Sequence, residues 1–261
     1  MATLSIDLGN SRAKLAIVSV EDEIVHRLHF PTSEISRHSG AIEKIASDPR
    51  VSGISLGSTV PEAADALLEI LSGHSTLIVT GETPCELQID YTPPSSLGAD
   101  RIAAAVGAFH IYGKVLNRSI MIVDAGTTVT ADLVSENGVF LGGAIFPGDG
   151  LAFDSLARGT AQLEKIEYEP VDSFVGTNTV ECMRIGVQAT LVGAVEFLYK
   201  RYGDVHGEHP FMLLSGASAS WIAPAISIPH MVDPDIVSIG LAAICAYNHG
   251  NKINAKTTKS V

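Results

Sequence analysis

The sequence predicts an α/β fold made of two related units, and three observations carry that expectation. A short apolar run followed by an acidic tight turn occurs twice: Leu4-Ser5-Ile6 precedes Asp7-Leu8-Gly9-Asn10 with Ser11, and Ile120-Met121-Ile122-Val123 precedes Asp124-Ala125-Gly126-Thr127 with Thr128. Each turn leads into a second apolar stretch (residues 14–18 and 129–134), a polar turn (Glu21-Asp22 and Glu136-Asn137-Gly138) and a third stretch (24–28 and 139–141). The repeat is therefore of a structural unit rather than a peptide. Beyond these starts, strand-like and helical stretches alternate with short turns, as in layered α/β proteins.

Taken in order, the first three strands lead to a helical stretch over 33–47, a strand over 51–58, a helix opened by Pro61 and running to Leu71, and a strand over 76–80. Adjacent prolines in Tyr91-Thr92-Pro93-Pro94-Ser95-Ser96-Leu97 exclude a regular helix and predict a rigid loop. That loop ends at Gly98-Ala99-Asp100-Arg101, and the Ala-rich run 102–112 continues as a helix. A boundary near 114–118 divides the chain into domains 1–115 and 116–261. In the second, Gly142-Gly143-Ala144-Ile145-Phe146-Pro147-Gly148 is expected to turn the chain into a helix over 151–158. A long helix over 178–202 carries Met183, Val187, Leu191, Ala194, Val195 and Leu198 at helical spacing, a stripe suited to a core or to a subunit interface. A strand over 211–214 runs into Ser215-Gly216, a helix over 236–247 closes the fold, and the polar tail 251–259 is expected to be disordered.

At 261 residues and 46% hydrophobic content the chain can build two cores, and the duplicated unit favours two domains. No apolar run is long enough to cross a bilayer, and residues 1–7 lack a basic stretch followed by an apolar one, so a soluble, unexported, cytoplasmic protein is expected. Cys85, Cys182 and Cys245 are odd in number, far apart and without metal-ligand spacing, which points to reduced thiols. The formal net charge of -12, with no basic cluster beyond the sparse tail, argues against nucleic acid or an anionic membrane as partner. It leaves a phosphorylated ligand open, because turn amides and a bound cation neutralise phosphates locally.

The two turns have the composition such a ligand needs. Glycine is expected to reach positive φ and to let backbone N–H groups approach a phosphate, the hydroxyl or amide that follows donates a further hydrogen bond, and the Asp at the strand end holds a hydrated cation. A single Asp-x-Gly after a strand is also an ordinary hairpin turn; two copies in matching contexts favour phosphate handling.

Six motifs span nearly the whole chain in order: Asp7-x-Gly9-Asn10-Ser11, Gly98-x-Asp100-Arg101, Asp124-x-Gly126-Thr127, Gly142-Gly143-x-Ile145-x-Pro147-Gly148, Arg158-Gly159-Thr160-Ala161 and Gly176-x-x-Thr179. Together they resemble the type III pantothenate kinase family. The resemblance implies two ribonuclease-H-like domains of the acetate kinase, sugar kinase, Hsp70 and actin superfamily, with the active site in the cleft between them. It also implies ATP-dependent phosphorylation of pantothenate to 4′-phosphopantothenate, the first step of coenzyme A synthesis. Magnesium, a monovalent cation (potassium or ammonium) and a homodimer with composite sites are implied with it.

Carried onto this sequence, the resemblance implies an ATP cradle from Asp7, Leu8, Gly9, Asn10, Ser11, Arg12, Ala13 and Lys14, with Asp7 reaching magnesium through water and Thr127 contacting the nucleotide. Lys14 reads equally as a solvated strand lysine, and the resemblance favours phosphate contact. Asp100 is the candidate general base: a hydroxyl becomes an adequate nucleophile when a carboxylate within hydrogen-bond reach takes its proton. Arg101 can pair with a substrate carboxylate, although Asp-Arg is also a common surface ion pair. Tyr91, Gly98 and Ala99 complete the substrate loop, with Tyr91 packing on the pantothenate chain or serving as a partly buried aromatic. Asp124 is implied to bind the monovalent cation, while the turn alone suits magnesium equally well. Thr179 is implied to reach the neighbouring subunit's substrate, and its position also suits a helix cap.

Two departures from the family pattern stand out. Thr127-Thr128-Val129-Thr130 replaces Thr-Ala-Thr-Thr, and Gly216-Ala217 replaces a pair of glycines in the adenosine-side loop. Rival readings are another small-molecule kinase or acyl-phosphate hydrolase of the same superfamily, or a non-catalytic nucleotide-binding regulator. Retention of Asp7, Asp100, Arg101 and Asp124 together argues against the regulator.

Overall fold

The computed structural model describes residues 1–171 and 173–257. Its first sheet is built from β1 (Ala2–Leu8), β2 (Arg12–Ser19), β3 (Ile24–Pro31), β4 (Val51–Ser58) and β5 (Thr76–Val79) in the order β3-β2-β1-β4-β5. β1 pairs antiparallel with β2 and parallel with β4, and β4 pairs parallel with β5. A 3-10 turn (Thr32–His38) and helix α1 (Ser39–Ala46) connect β3 to β4, and α2 (Pro61–Ile70) connects β4 to β5. Leu4, Ile6 and Leu8 are fully buried, as are Ile17, Ile42, Leu56 and Leu67. Covering helices of this kind explain the nearly continuous apolar character of β1, a central strand.

The chain continues through β6 (Gln88–Ile89), α3 (Ala99–Ala108), a π-helical turn (Phe109–Gly113) and α4 (Lys114–Leu116). Then follow β7 (Ile120–Ala125), β8 (Thr128–Val134), β9 (Val139–Pro147), α5 (Asp149–Gly159), α6 (Thr179–His206), β10 (Phe211–Ser215), α7 (Ala219–Ile222), β11 (His230–Val232) and α8 (Ile236–Thr257). The second sheet runs β11-β10-β7-β8-β9-β6. Reversed and without β6, it is β9-β8-β7-β10-β11, the same order in chain sequence as the first sheet. The duplicated unit is thus a duplicated sheet topology.

Contacts divide the chain into two compact units. One comprises Met1–Asn117, Val134–Leu141 and the described residues from Asp235 on; the other comprises Arg118–Leu133 and Gly142–Pro234. This grouping differs from a single division at 115/116 chiefly because α8 packs on α3. Glycine makes that packing possible: a Cβ at Gly107 would lie 2.2 Å from Ile236 O, and one at Gly240 would lie 1.8 Å from Ala103 O. Two helix backbones approach where side chains would keep them apart.

Several boundaries depart from the expectations. Residues 142–147 continue β9 instead of turning away, because Gly142 adopts φ +95° and Gly143 sits against Ala131 O, letting the strand hug β8. Helix α3 begins at Ala99, so Asp100 and Arg101 lie in its first turn. α8 extends through Thr257, so residues 251–257 of the expected disordered tail are helical, and 258–259 lie outside the described residues. No helix among the described residues is long and apolar enough to cross a membrane.

Candidate active site

In the first unit the register of the sheet assembles the acidic turn. Asp7 lies opposite Lys14 across the β1–β2 ladder, with Lys14 Nζ 3.6 Å from Asp7 Oδ2. Leu8 and Ala13 are buried beneath, while Asn10, Ser11 and Arg12 are exposed at the tip. The tip is pinned from both sides. Gly9 N–H donates to Arg12 O at 3.1 Å, Thr59 N–H to Leu8 O at 3.1 Å, and Thr32 Oγ1 to Gly9 O at 2.6 Å.

The expected role of the turn glycines needs correction. Among the described residues the glycines with positive φ are Gly138, Gly142, Gly207 and Gly216, so neither Gly9 nor Gly126 uses the left-handed region. Their N–H groups close the turns, to Arg12 O and to Thr128 O at 3.0 Å. An added Cβ would meet nothing closer than 3.5 Å at Gly9 and 3.7 Å at Gly126, so the space beside both turns is open. Exposed Asn10 and Ser11, or Thr127 and Thr128, stand at the tip, polar groups of the kind that hydrogen-bond a phosphate.

Asp100 is brought to the first turn by a contact the sequence does not announce. Gly57 of β4 pairs with Asp7, and a Cβ on Gly57 would lie 3.4 Å from Ala99 Cβ. The absent side chain seats the start of α3 beside the strand ends that carry Asp7. Asp100 is half-buried, and its Oδ1 accepts the Arg101 N–H at 2.8 Å. A Cβ on Gly98 would approach that oxygen to 2.6 Å, so Gly98 makes space for the carboxylate. Arg101 is only 6% exposed, which removes the surface ion pair as an explanation. Its Nη1 donates to Tyr91 Oη at 3.3 Å, and its guanidinium carbon lies 5.3 Å from the Tyr91 ring and 5.8 Å from the Phe140 ring.

In the second unit three segments converge on the Asp124 turn. Asp124 lies opposite Ser215 across β7–β10. Gly216, at φ +91°, folds the following loop so closely that a Cβ would reach 2.5 Å from Asp124 Oδ1, so both conformation and space demand glycine there. Ala217 is exposed, and this departure leaves the close approach of Gly216 intact. Ser218 N–H donates to Ala125 O and Ser218 Oγ to Asp149 Oδ1, both at 2.9 Å. From the third segment Gly148 N–H donates to Thr127 O at 3.1 Å, and a Cβ on Gly148 would lie 2.2 Å from Gly126 O. No group of three or more His, Cys, Asp or Glu side chains capable of holding a metal occurs among the described residues. A divalent cation at Asp7 or Asp124 would complete its shell with water and phosphate oxygens, which suits magnesium.

Thr179 is the exposed first residue of α6, and the cap is its neighbour: Asn178 Oδ1 accepts the Glu181 N–H at 3.0 Å. Glu181 in turn accepts Thr177 N–H at 2.8 Å and Thr177 Oγ1 at 2.9 Å, contacts that hold its carboxyl below the usual range. Met183, Val187, Leu191 and Val195 of the expected stripe are buried within the chain itself, while Val180, Phe197 and Val205 on the same helix are exposed. The stripe therefore serves the chain's own core.

The sequence model of the type III pantothenate kinase family matches residues 3–201. The chain belongs to that family. Type III pantothenate kinases similar to it include that of Moorella thermoacetica, 30% identical over 255 residues covering 94% of this chain and 99% of that protein. That of Akkermansia muciniphila is 32% identical over 248 residues, covering 95% and 100%. Solved structures of like fold include a conserved Baf family protein from Campylobacter jejuni (TM-score 0.61, 18% identity, 95% and 99% covered). Another is the inorganic polyphosphate/ATP-glucomannokinase of Arthrobacter sp. strain KM (TM-score 0.54, 13% identity, 95% and 99% covered). At such identities the likeness is one of fold, the two-domain actin-like architecture. Within this type III pantothenate kinase relative, Phe140, Asp149 and Ser218 join the candidate residues only through the structure. Each lies far in sequence from the groups it touches, and no local spacing marks it.

Proposed function

We propose that the protein transfers the γ-phosphoryl group of ATP to the 4′ hydroxyl of pantothenate, and that Asp100 is the catalytic base. The observation that carries this reading is the seating of the α3 start over Gly57, the strand partner of Asp7. The Asp100 carboxylate and the Asp7 turn thereby share one sheet end within the first unit. Phosphoryl transfer asks a protein for alignment and charge neutralisation more than for covalent chemistry. The Asp100 carboxylate accepts the hydroxyl proton as the new P–O bond forms and the bond to the β-phosphate oxygen breaks, releasing ADP. Arg101, held beside Tyr91, pairs with the pantothenate carboxylate; Gly98 and Ala99 keep the loop clear.

Asn10, Ser11, Arg12 and Lys14 contact the nucleotide phosphates around Gly9, between the buried Leu8 and Ala13, and Thr127 is a further proposed nucleotide contact. Magnesium, when bound, neutralises charge on the phosphate oxygens, and Asp7 is proposed to hold it through water. Asp124 is proposed to hold potassium or ammonium. A homodimer is proposed in which the partner subunit's Thr179 completes each pantothenate site; the exposed Phe174, Val175, Val180 and Phe197 support it. The absence of any membrane-spanning helix among the described residues is compatible with the proposed cytoplasmic location.

The test is ATP consumption by the purified protein with and without pantothenate, with the product identified by mass. Pantothenate-dependent ADP formation with one equivalent of 4′-phosphopantothenate is expected. ADP formation indifferent to pantothenate would defeat the reading.

A further inference from the structure

We infer that Phe140 is a positioning residue for acceptor binding, acting through Arg101 and Tyr91; the inference rests on the assignment of those two residues to the pantothenate site. Phe140 is fully buried on β9 and belongs to the first compact unit, with α3 and the loop that carries Tyr91. It holds that loop twice. Phe140 O accepts the Asp90 N–H at 3.0 Å, in a register that pairs Phe140 with Ile89, so the backbone just before Tyr91 is fixed by strand pairing. The Phe140 ring meets the Tyr91 ring edge-on, with centroids 6.0 Å apart and planes at 63°. The Arg101 guanidinium carbon then lies 5.3 Å from the Tyr91 ring and 5.8 Å from the Phe140 ring, while Nη1 donates to Tyr91 Oη.

Two electron-rich faces and one phenol oxygen therefore help to hold a buried cation in place. Each cation–π contact attracts the guanidinium without engaging its N–H groups, which a carboxylate needs for paired hydrogen bonds. A leucine at 140 would fill much of the volume and keep the Asp90 N–H bond, yet remove the ring that restrains Arg101. The cost should fall on recognition of the acceptor carboxylate, leaving the base and the nucleotide turns as they are.

The experiment combines steady-state kinetics of Phe140→Leu and Phe140→Tyr with a double-mutant cycle against the uncharged Arg101→Met. Phe140→Leu should raise KM for pantothenate about tenfold, the scale of a desolvated cation–π contact. It should change kcat and KM for ATP less than about twofold, Phe140→Tyr should recover most of the loss, and Phe140→Leu should have little further effect in the Arg101→Met background. Additive effects in the cycle, or equal loss in both KM values and kcat, would show a structural role only. If Phe140→Leu does not fold, Phe140→Tyr and Phe140→Met carry the same comparison. Binding-independent evidence comes from NMR of the Arg101 Nε–H: restrained beside two rings, it should exchange slowly with solvent in the native protein and markedly faster in Phe140→Leu. Faster exchange would uphold the positioning even if pantothenate proved not to be the acceptor, and unchanged exchange would overturn it.

Discussion

Asp100 differs from the chain's other acidic side chains in how it is delivered. It stands in the first turn of α3, where Gly98 leaves room for its oxygen and Gly57 lets the helix start reach the strand ends. Asp100→Asn keeps the shape and loses the proton acceptor. Turnover should fall about 100-fold or more while nucleotide affinity measured by calorimetry holds, and near-native turnover would remove Asp100 from the mechanism. Asp124 makes a different prediction. Its carboxylate is crowded by the Gly216 loop, and the proposed role is to hold a weakly hydrated monovalent cation. Replacing potassium with sodium at fixed ionic strength should lower the rate sharply, and Asp124→Ala should abolish the difference. Equal rates in the two salts would return Asp124 to magnesium or to a structural role. Asp124 is legible in the sequence because it follows an apolar run in a repeated pattern, and Asp100 because it stands in a Gly-x-Asp-Arg motif at the end of a proline-stiffened loop. Phe140 and Ser218 are not, because what they do depends on partners brought close only by sheet register and loop closure.

At the scale of elements, strong periodicity was readable and weak or ambiguous signals were not. β4 spans 51–58 as expected, and Pro61 opens α2, because a buried apolar run and a proline at a first helical turn have few alternatives. β6 and β11, two and three residues long, are too short to show a period of two. The glycine pair at 142–143 reads as a turn locally but serves a strand pressed against its neighbour. The π-helical turn after α3 is equally invisible, and it gathers a charge cluster: His110 Nε2 lies 3.2 Å from Asp22 Oδ2, His110 Nδ1 lies 3.3 Å from Glu86 Oε1, and Lys114 Nζ lies 2.7 Å from Glu86 Oε2. The Glu86 oxygen facing His110 is buried, with the ring nitrogen 3.3 Å away. The close Glu86 carboxylate, with Asp22 behind it, raises the His110 pKa above 6.5 against the opposing effect of burial. Burial opposes the charged form of Glu86, and His110 and Lys114 outweigh it, holding that carboxyl low. A raised histidine pKa contributes stability that is complete below the unfolded value and is lost as pH rises through the folded value. The thermal midpoint of the native protein should therefore exceed that of His110→Gln by most near about pH 6 and by progressively less toward about pH 9. A difference constant over that range would exclude the linkage.

For the whole molecule, the repeated strand order means that two sheets of one topology each carry an Asp turn at an equivalent strand end, so one folding pattern supplies both turns. The long helix adds a further level. Its buried apolar stripe is used internally, while Val180, Phe197 and Val205 on the helix, with Phe174 and Val175 before it, are exposed apolar side chains that a second copy could cover. In a C2 dimer each pantothenate site would combine Asp100 of one protomer with the partner subunit's Thr179, so activity should require assembly. Two inactive variants, Asp100→Asn and Thr179→Trp, test this when mixed. After subunit exchange each heterodimer has one site with both defects and one with neither, and with half the dimers mixed, about one quarter of native activity should return. Exchange must be verified independently, by mass of differently tagged subunits. If exchange occurs and activity stays absent, the composite site is wrong; if a monomeric form proves fully active, the dimer is dispensable for catalysis altogether.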